Sequence, residues 1–155
     1  MPEPHETPTR CEFDMDKLVI QFDEVFPSAV SMIDGVVDKI MGLIEQSHCW
    51  DDAESLDLVL REALANAIVH GNRSDPQKSV RICVAVQADC RMLIVVKDAG
   101  SGFDPSGLPN PVVGQSIFAD HGRGIFLINR LMEDVQFSFE HGTAVYMRRT
   151  LAKRQ

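Results

Sequence analysis

Residues 61–72 read Arg61-Glu62-Ala63-Leu64-Ala65-Asn66-Ala67-Ile68-Val69-His70-Gly71-Asn72, and the fold turns on how this stretch is read. Leu56, Val59, Leu60, Ala63 and Ala67 recur at helical spacing and define a face that can pack. Glu62, Asn66 and His70 stand four apart, so they line a neighbouring, slowly drifting face of the same helix. Asp51-Asp52-Ala53-Glu54 offers an acidic, capping-box-like start, and Gly71-Asn72 a left-handed stop. These signals predict a helix from about residue 53 to His70. Its polar face alone is equally compatible with simple solvation. Asn66 argues for a task, because asparagine is a weak helix former in mid-helix. A carboxylate one turn from a carboxamide also suits the holding of a metal and the activation of a hydroxyl.

Upstream, Phe13, Met15, Leu18, Val19, Ile20 and Phe22 partly alternate, which suits an edge strand over residues 11–22. Pro27 fits a first helical turn, and Val30, Ile33, Val36, Val37, Ile40, Leu43 and Ile44 give one apolar face of a helix reaching Gln46. Downstream of the Ser74-Asp75-Pro76 turn, residues 80–87 and 92–97 read as a hairpin. From Asp98 to about His121 there is no periodicity, and loops of that length inside a compact domain are usually functional or disordered. A short helix over residues 124–132 and two strands, 135–140 and 143–149, complete the order. Strand runs on both sides of helices, without strict alternation, predict a layered α+β sandwich. Residues 1–10, acidic and proline-rich, are expected to be a disordered tail, residues 11–150 one domain, and residues 151–155 a solvated basic end.

Composition narrows the function. The 155 residues carry 23 acids and 15 bases, a net charge of −8. Residues 1–57 hold 14 acids and 3 bases, and residues 58–155 hold 9 acids and 12 bases, so the balance is −11 against +3. The overall acidity argues against direct nucleic-acid binding, which needs a basic stripe. The second half still suits a small anionic ligand. No apolar run approaches the roughly 20 residues of a membrane span, and the acidic, proline-rich start is unlike a secretory signal. A cytoplasmic protein is expected. Cys11, Cys49, Cys83 and Cys90 have no Cys-x-x-Cys spacing and are expected to be idle or buried thiols, and the five histidines assemble no zinc motif.

Three further motifs bear chemistry. Asp98-Ala99-Gly100-Ser101-Gly102-Phe103-Asp104-Pro105 follows a strand, and its glycines permit either close approach to a ligand or a sharp turn. Asp98 at the strand end could accept from an exocyclic amine, which would read adenine. Gly122-Arg123-Gly124-Ile125-Phe126-Leu127-Ile128 leads into a helix whose free N–H groups suit phosphate oxygens, or serves as a hinge. Gly142-Thr143 opens the last strand, where the hydroxyl could touch a ligand or simply sit in a hairpin turn. There is no Gly-x4-Gly-Lys-Ser/Thr, no third glycine at dinucleotide-binding spacing, and no His-Arg-Asp or Asp-Phe-Gly.

The order and spacing of these motifs resemble the GHKL ATPase superfamily and, within it, the anti-sigma-factor serine/threonine kinases of the RsbW/SpoIIAB type. The resemblance covers roughly residues 12–150, and Met132-Glu133-Asp134-Val135 fits it as well. It implies the Bergerat fold, a two-layer α/β sandwich whose mixed, mostly antiparallel sheet is covered by helices on one face. It implies ATP and Mg²⁺, with Asn66 as the metal ligand. Asp98 would take the adenine amine, Gly100 and Gly102 would line its pocket, and residues around 103–121 would form a lid. Gly122, Arg123 and Gly124 would lie at the phosphates, with His70 beside the nucleotide and Thr143 at the base. Glu62 would be the general base that takes the proton from a hydroxyl acceptor. Sensor histidine kinases usually carry Asn in its place, so the carboxylate favours serine, threonine or water. The implied partners are a STAS-type anti-anti-sigma protein, a sigma factor or other client, and a second copy in a homodimer. The alternatives are an ATP-gated anti-sigma or adaptor module with little transfer activity, and a stand-alone sensor-kinase catalytic domain.

Overall fold

The computed structural model describes residues 17–50, 52–100, 122–139 and 141–154. In chain order these form β1 (Leu18–Pro27), α1 (Ile33–Gln46), β2 (Cys49–Trp50), α2 (Ala53–Ala65), β3 (Ser79–Gln87), β4 (Arg91–Asp98), α3 (Gly122–Leu131), β5 (Asp134–Ser138), β6 (Ala144–Thr150) and β7 (Ala152–Lys153). A five-stranded sheet runs β1-β3-β4-β6-β5, and all four of its pairings are antiparallel. The α+β sandwich predicted from the element order is what forms.

Strand alternation sets the core. Val80, Ile82, Val84 and Val86 of β3 are buried and stand opposite Asp98, Val96, Ile94 and Met92 of β4. This face meets Val37 and Ile40 of α1 and Leu56, Leu60 and Leu64 of α2 in one apolar cluster. Each such side chain contributes roughly 1.5–3 kcal/mol when buried. Asp98 continues the inward phase of β4, so the period that fills the core also drives a carboxylate beneath the helices.

Several expectations are corrected. Pro27 ends β1, opposite Ser79, rather than starting a helix. A 3-10 turn (Val30–Met32) then leads into α1. Of the first strand's expected range, residues 11–16 lie outside the described residues, as does the tail over 1–10. The helix starting at Ala53 is capped by Asp52, whose side chain accepts from the Glu54 N–H at 3.1 Å. It does not stay α-helical to His70. Asn66–Gly71 is a π turn, closed by the Asn72 N–H donating to Ala67 O. The left-handed residues after it are Arg73 and Ser74, not Gly71-Asn72.

The chain's end and its cysteines also differ from expectation. Leu151 is buried and Ala152–Lys153 pair with Cys49–Trp50, so residues 151–153 are not a free solvated end. Cys49 and Cys90 are disulfide-bonded, their Cα atoms 5.5 Å apart, rather than idle thiols. The partners sit on the α1–α2 connection and the β3–β4 turn, which only the assembled sheets bring together. His48 Nε2 lies 3.7 Å from Cys49 Sγ, so histidine and sulfur do gather, with both sulfurs held in the bond. Cys83 is a free, half-buried thiol.

Candidate functional site

The site gathers where the C-terminal end of the α2 helix meets the ends of β4 and β6. Asp98, the last residue of β4, is 4% exposed. Its Oδ1 accepts from the Gly100 N–H at 3.0 Å and the Thr143 N–H at 3.1 Å. Among the described residues nothing donates to Oδ2. Burial pushes the carboxyl pKa above its ordinary value, opposed by those two N–H groups and by Lys78.

Close approach explains the glycines. A Cβ on Gly71 would fall 2.0 Å from Asp98 Oδ2, and one on Gly100 would fall 1.8 Å from the Gly71 carbonyl oxygen. Gly142 adopts φ +105°, and a Cβ there would meet Asp98 O at 2.5 Å. Three chain segments thus close around Asp98 and on one another at distances only hydrogen allows. Gly71 is required for this contact, not for a left-handed stop.

Asn72 holds the arrangement. Fully buried, it donates through Nδ2 to Ser79 O and accepts at Oδ1 from the Ala99 N–H, both at 2.9 Å. One side chain therefore ties the helix end to the start of β3 and to the residue after Asp98. Sequence reasoning assigned Asn72 only to a helix stop. Its buried amide is visible only once β3 and β4 are paired.

Thr143 meets Asp98 from the position just before β6. Its carbonyl accepts from the Asp98 N–H at 2.9 Å, while its Oγ1 is buried without a hydrogen-bond partner. A buried hydroxyl without a partner costs about 1–3 kcal/mol. With Asp98 Oδ2 also free of a described donor, the two oxygens suit a ligand edge that offers both a donor and an acceptor.

Glu62 and Asn66 are half-buried on α2 and the first position of the π turn, and neither side chain hydrogen-bonds to a described residue. His70 is half-buried in the same π turn. The π turn, a feature common at functional sites, thus covers Asn66 and His70. Gly122, Arg123 and Gly124 form the first turn of α3, which packs against α2. The structure brings Asp98, Gly100 and Thr143 into direct contact. Gly102 and the expected lid over 103–121 lie outside the described residues.

Comparison with known proteins gives the family and the fold. A family model described as "Histidine kinase-like ATPase domain" matches residues 26–149. Serine-protein kinase RsbW of Bacillus cereus (strain AH187) is 30% identical over 112 residues, covering 68% of this chain and 69% of that protein. The protein of the same name from Bacillus licheniformis is 30% identical over 115 residues, covering 69% and 70%. A chain of the SiaB–SiaC complex from Pseudomonas aeruginosa superposes with TM-score 0.62 at 12% identity, over 90% of this chain and 94% of that one. A structure of the RsbU and RsbW domains of a Mycobacterium tuberculosis protein gives TM-score 0.61 at 14% identity, over 88% of this chain and 34% of that one. These two likenesses show the fold, an antiparallel sheet with helices layered on it. The chain belongs to the histidine kinase-like ATPase family and, within it, to the RsbW serine-protein kinases.

Proposed function

We propose that the chain is an ATP-dependent protein serine/threonine kinase of a bacterial partner-switching pathway. It phosphorylates a STAS-type anti-anti-sigma protein and, in the alternate state, sequesters a sigma factor or other client. It works in the cytoplasm as a homodimer. No helix among the described residues is long and apolar enough to cross a membrane.

The observation that carries the nucleotide assignment is the Asp98–Thr143 pair. Asp98 Oδ2 accepts from no described donor, and Thr143, whose N–H donates to Asp98 Oδ1, carries a buried Oγ1 without a partner. Gly71 and Gly142 bring backbone against Asp98, and Gly100 against Gly71, at distances that exclude a Cβ. This donor and acceptor set fits an adenine edge. ATP would supply the phosphoryl group, and the Asn66 carboxamide oxygen would hold a Mg²⁺ that offsets phosphate charge. The N–H groups at the start of α3, at Gly122, Arg123 and Gly124, face the phosphates. His70 would flank the nucleotide from the π turn.

Glu62 is the general base. A serine hydroxyl is a weak nucleophile until a positioned acceptor takes its proton, and the Glu62 carboxylate is left uncommitted by every described neighbour. The test is transfer of radiolabelled phosphate from Mg-ATP to purified STAS proteins of the same genome. Glu62→Ala should bind ATP with affinity within about twofold of wild type and lose transfer by 10²-fold or more. Wild-type protein that binds ATP but labels no STAS protein would leave an ATP-gated binding module in place of the kinase.

A further inference from the structure

At the opposite end of α2 from Asp98 lies a groove of about 860 Å³. Two helical stripes build it. Asp38, Met41 and Glu45 are spaced three and four apart on α1, and Glu54, Asp57 and Leu58 likewise on α2. Trp50 of β2 closes one side at 54% exposure, and Leu58 is 36% exposed. The walls are therefore apolar and the rim acidic.

The rim charges are largely uncompensated. Asp57 is paired with Arg61 at 2.7 Å, and Arg61 also reaches Asp34. Asp38, Glu45 and Glu54 are exposed and form no ion pair with any described residue. Among the described residues Arg154 is the one cation lining the groove, and its Nε donates to the Cys49 carbonyl at 3.3 Å rather than to a carboxylate. An apolar slot between two helices, bordered by three unpaired carboxylates, is complementary to an apolar stripe flanked by ammonium or guanidinium groups.

We infer that this groove docks a basic amphipathic helix of a partner protein, with Leu, Ile or Met side chains against Met41, Trp50 and Leu58 and Lys or Arg against Asp38, Glu45 and Glu54. An anionic membrane surface is disfavoured by the same carboxylates. The docking surface is separate from the nucleotide pocket and does not depend on the kinase reading, because neither binding nor its measurement requires ATP.

Trp50 is the sole tryptophan of the chain, so intrinsic fluorescence reports on the groove alone. The protein is titrated with an amphipathic Leu–Lys peptide of about 18 residues, five helical turns, and with its Leu–Glu counterpart. The Leu–Lys peptide should produce a saturable blue shift of Trp50 emission that weakens at about 1 M salt, where the Debye length is about 3 Å. Glu45→Lys with Glu54→Lys should weaken that binding about tenfold while ATP affinity stays within about twofold. Asp38→Lys alone provides a second variant should the pair disturb folding, checked by circular dichroism. Equal shifts with the Leu–Glu peptide, no shift with either, or unchanged Leu–Lys affinity in the folded charge-reversed protein would overturn the inference. Binding that appears only as self-association in sedimentation, with no peptide effect, would instead assign the groove to a second copy of the chain and also overturn it.

Discussion

Removal of the Cys49–Cys90 bond, by Cys49→Ala with Cys90→Ala or by treating the native protein with a dithiol, separates stability from nucleotide binding. The cysteines are 41 positions apart in sequence. On the chain-entropy relation, cross-linking an unfolded loop of that length is worth about 4 kcal/mol at 25 °C. Native-state compensation lowers the expected loss to roughly 2–4 kcal/mol, a large share of the roughly 5–15 kcal/mol that holds an ordinary domain. Both residues are fully buried, so the bond is embedded in the packed end of the sheet. Asp98 lies at the other end of β4, about 25 Å away at roughly 3.3 Å per residue. Guanidinium unfolding should therefore show the loss, with a slightly larger m-value because the uncrosslinked chain exposes more surface. Reduced wild type and the double alanine variant should coincide. Calorimetry should find ATP affinity unchanged within about twofold. A stability loss below about 0.5 kcal/mol, or an ATP affinity that falls with the bond, would refute the assignment of this cross-link to the stability of the remote end.

Other perturbations act on the pocket itself. Asp98 has a raised pKa in the folded state, so its contribution to the free protein's stability is present at low pH and is lost as pH rises through the folded value. ATP affinity should run the other way, falling as pH drops through that same value because a protonated carboxyl no longer offers a charged acceptor. Asp98→Asn should abolish ATP binding in calorimetry and remove this pH dependence without lowering stability at pH 7; retained affinity would exclude Asp98 as the amine acceptor. Gly100→Ala places a Cβ 1.8 Å from a backbone oxygen, which a flexible side chain cannot relieve, and should cost about 1–3 kcal/mol in denaturant unfolding together with ATP affinity. Asn72→Ala removes the amide that pairs with Ser79 O and the Ala99 N–H, both part-buried, and should cost about 0.5–1.5 kcal/mol for each bond lost. Unchanged unfolding of Asn72→Ala would mean that water replaces the amide.

The β3–β4 hairpin was legible because its period is local: Val80, Ile82, Val84 and Val86 alternate within one strand, and the phase carries through to Asp98. The Asp52 cap was legible for the same reason, since donor and acceptor are two residues apart. What stayed hidden depends on distant segments meeting. The Cys49–Cys90 bond and the β2–β7 pairing need the sheet assembled before their partners are neighbours. Gly71 shows the same limit within the quoted motif. A glycine after a helix has two physical uses, left-handed backbone and close approach, and only the position of the Asp98 carboxylate selects the second. Asn72 reads as a cap residue until the carbonyl of Ser79 and the amide of Ala99 arrive on either side of it.

Because the Asn72 N–H reaches back five residues to Ala67, the turn at Asn66–Gly71 holds one more residue than an α-helical turn closing the same ring. Deleting any single residue there would let the segment wind as ordinary α-helix. The Asn72 N–H would then meet the Ala67 carbonyl four residues back, as an ordinary α-helical bond, and Asn72 would keep nearly its present place between Ser79 and Ala99. The extra residue is therefore absorbed inside the turn while the chain on either side holds its phase. What it alters is the interior of the turn, the stretch that holds His70 and Gly71. A one-residue deletion there is a local edit of the ligand-facing turn, with the helix before it and the strand after it left in register.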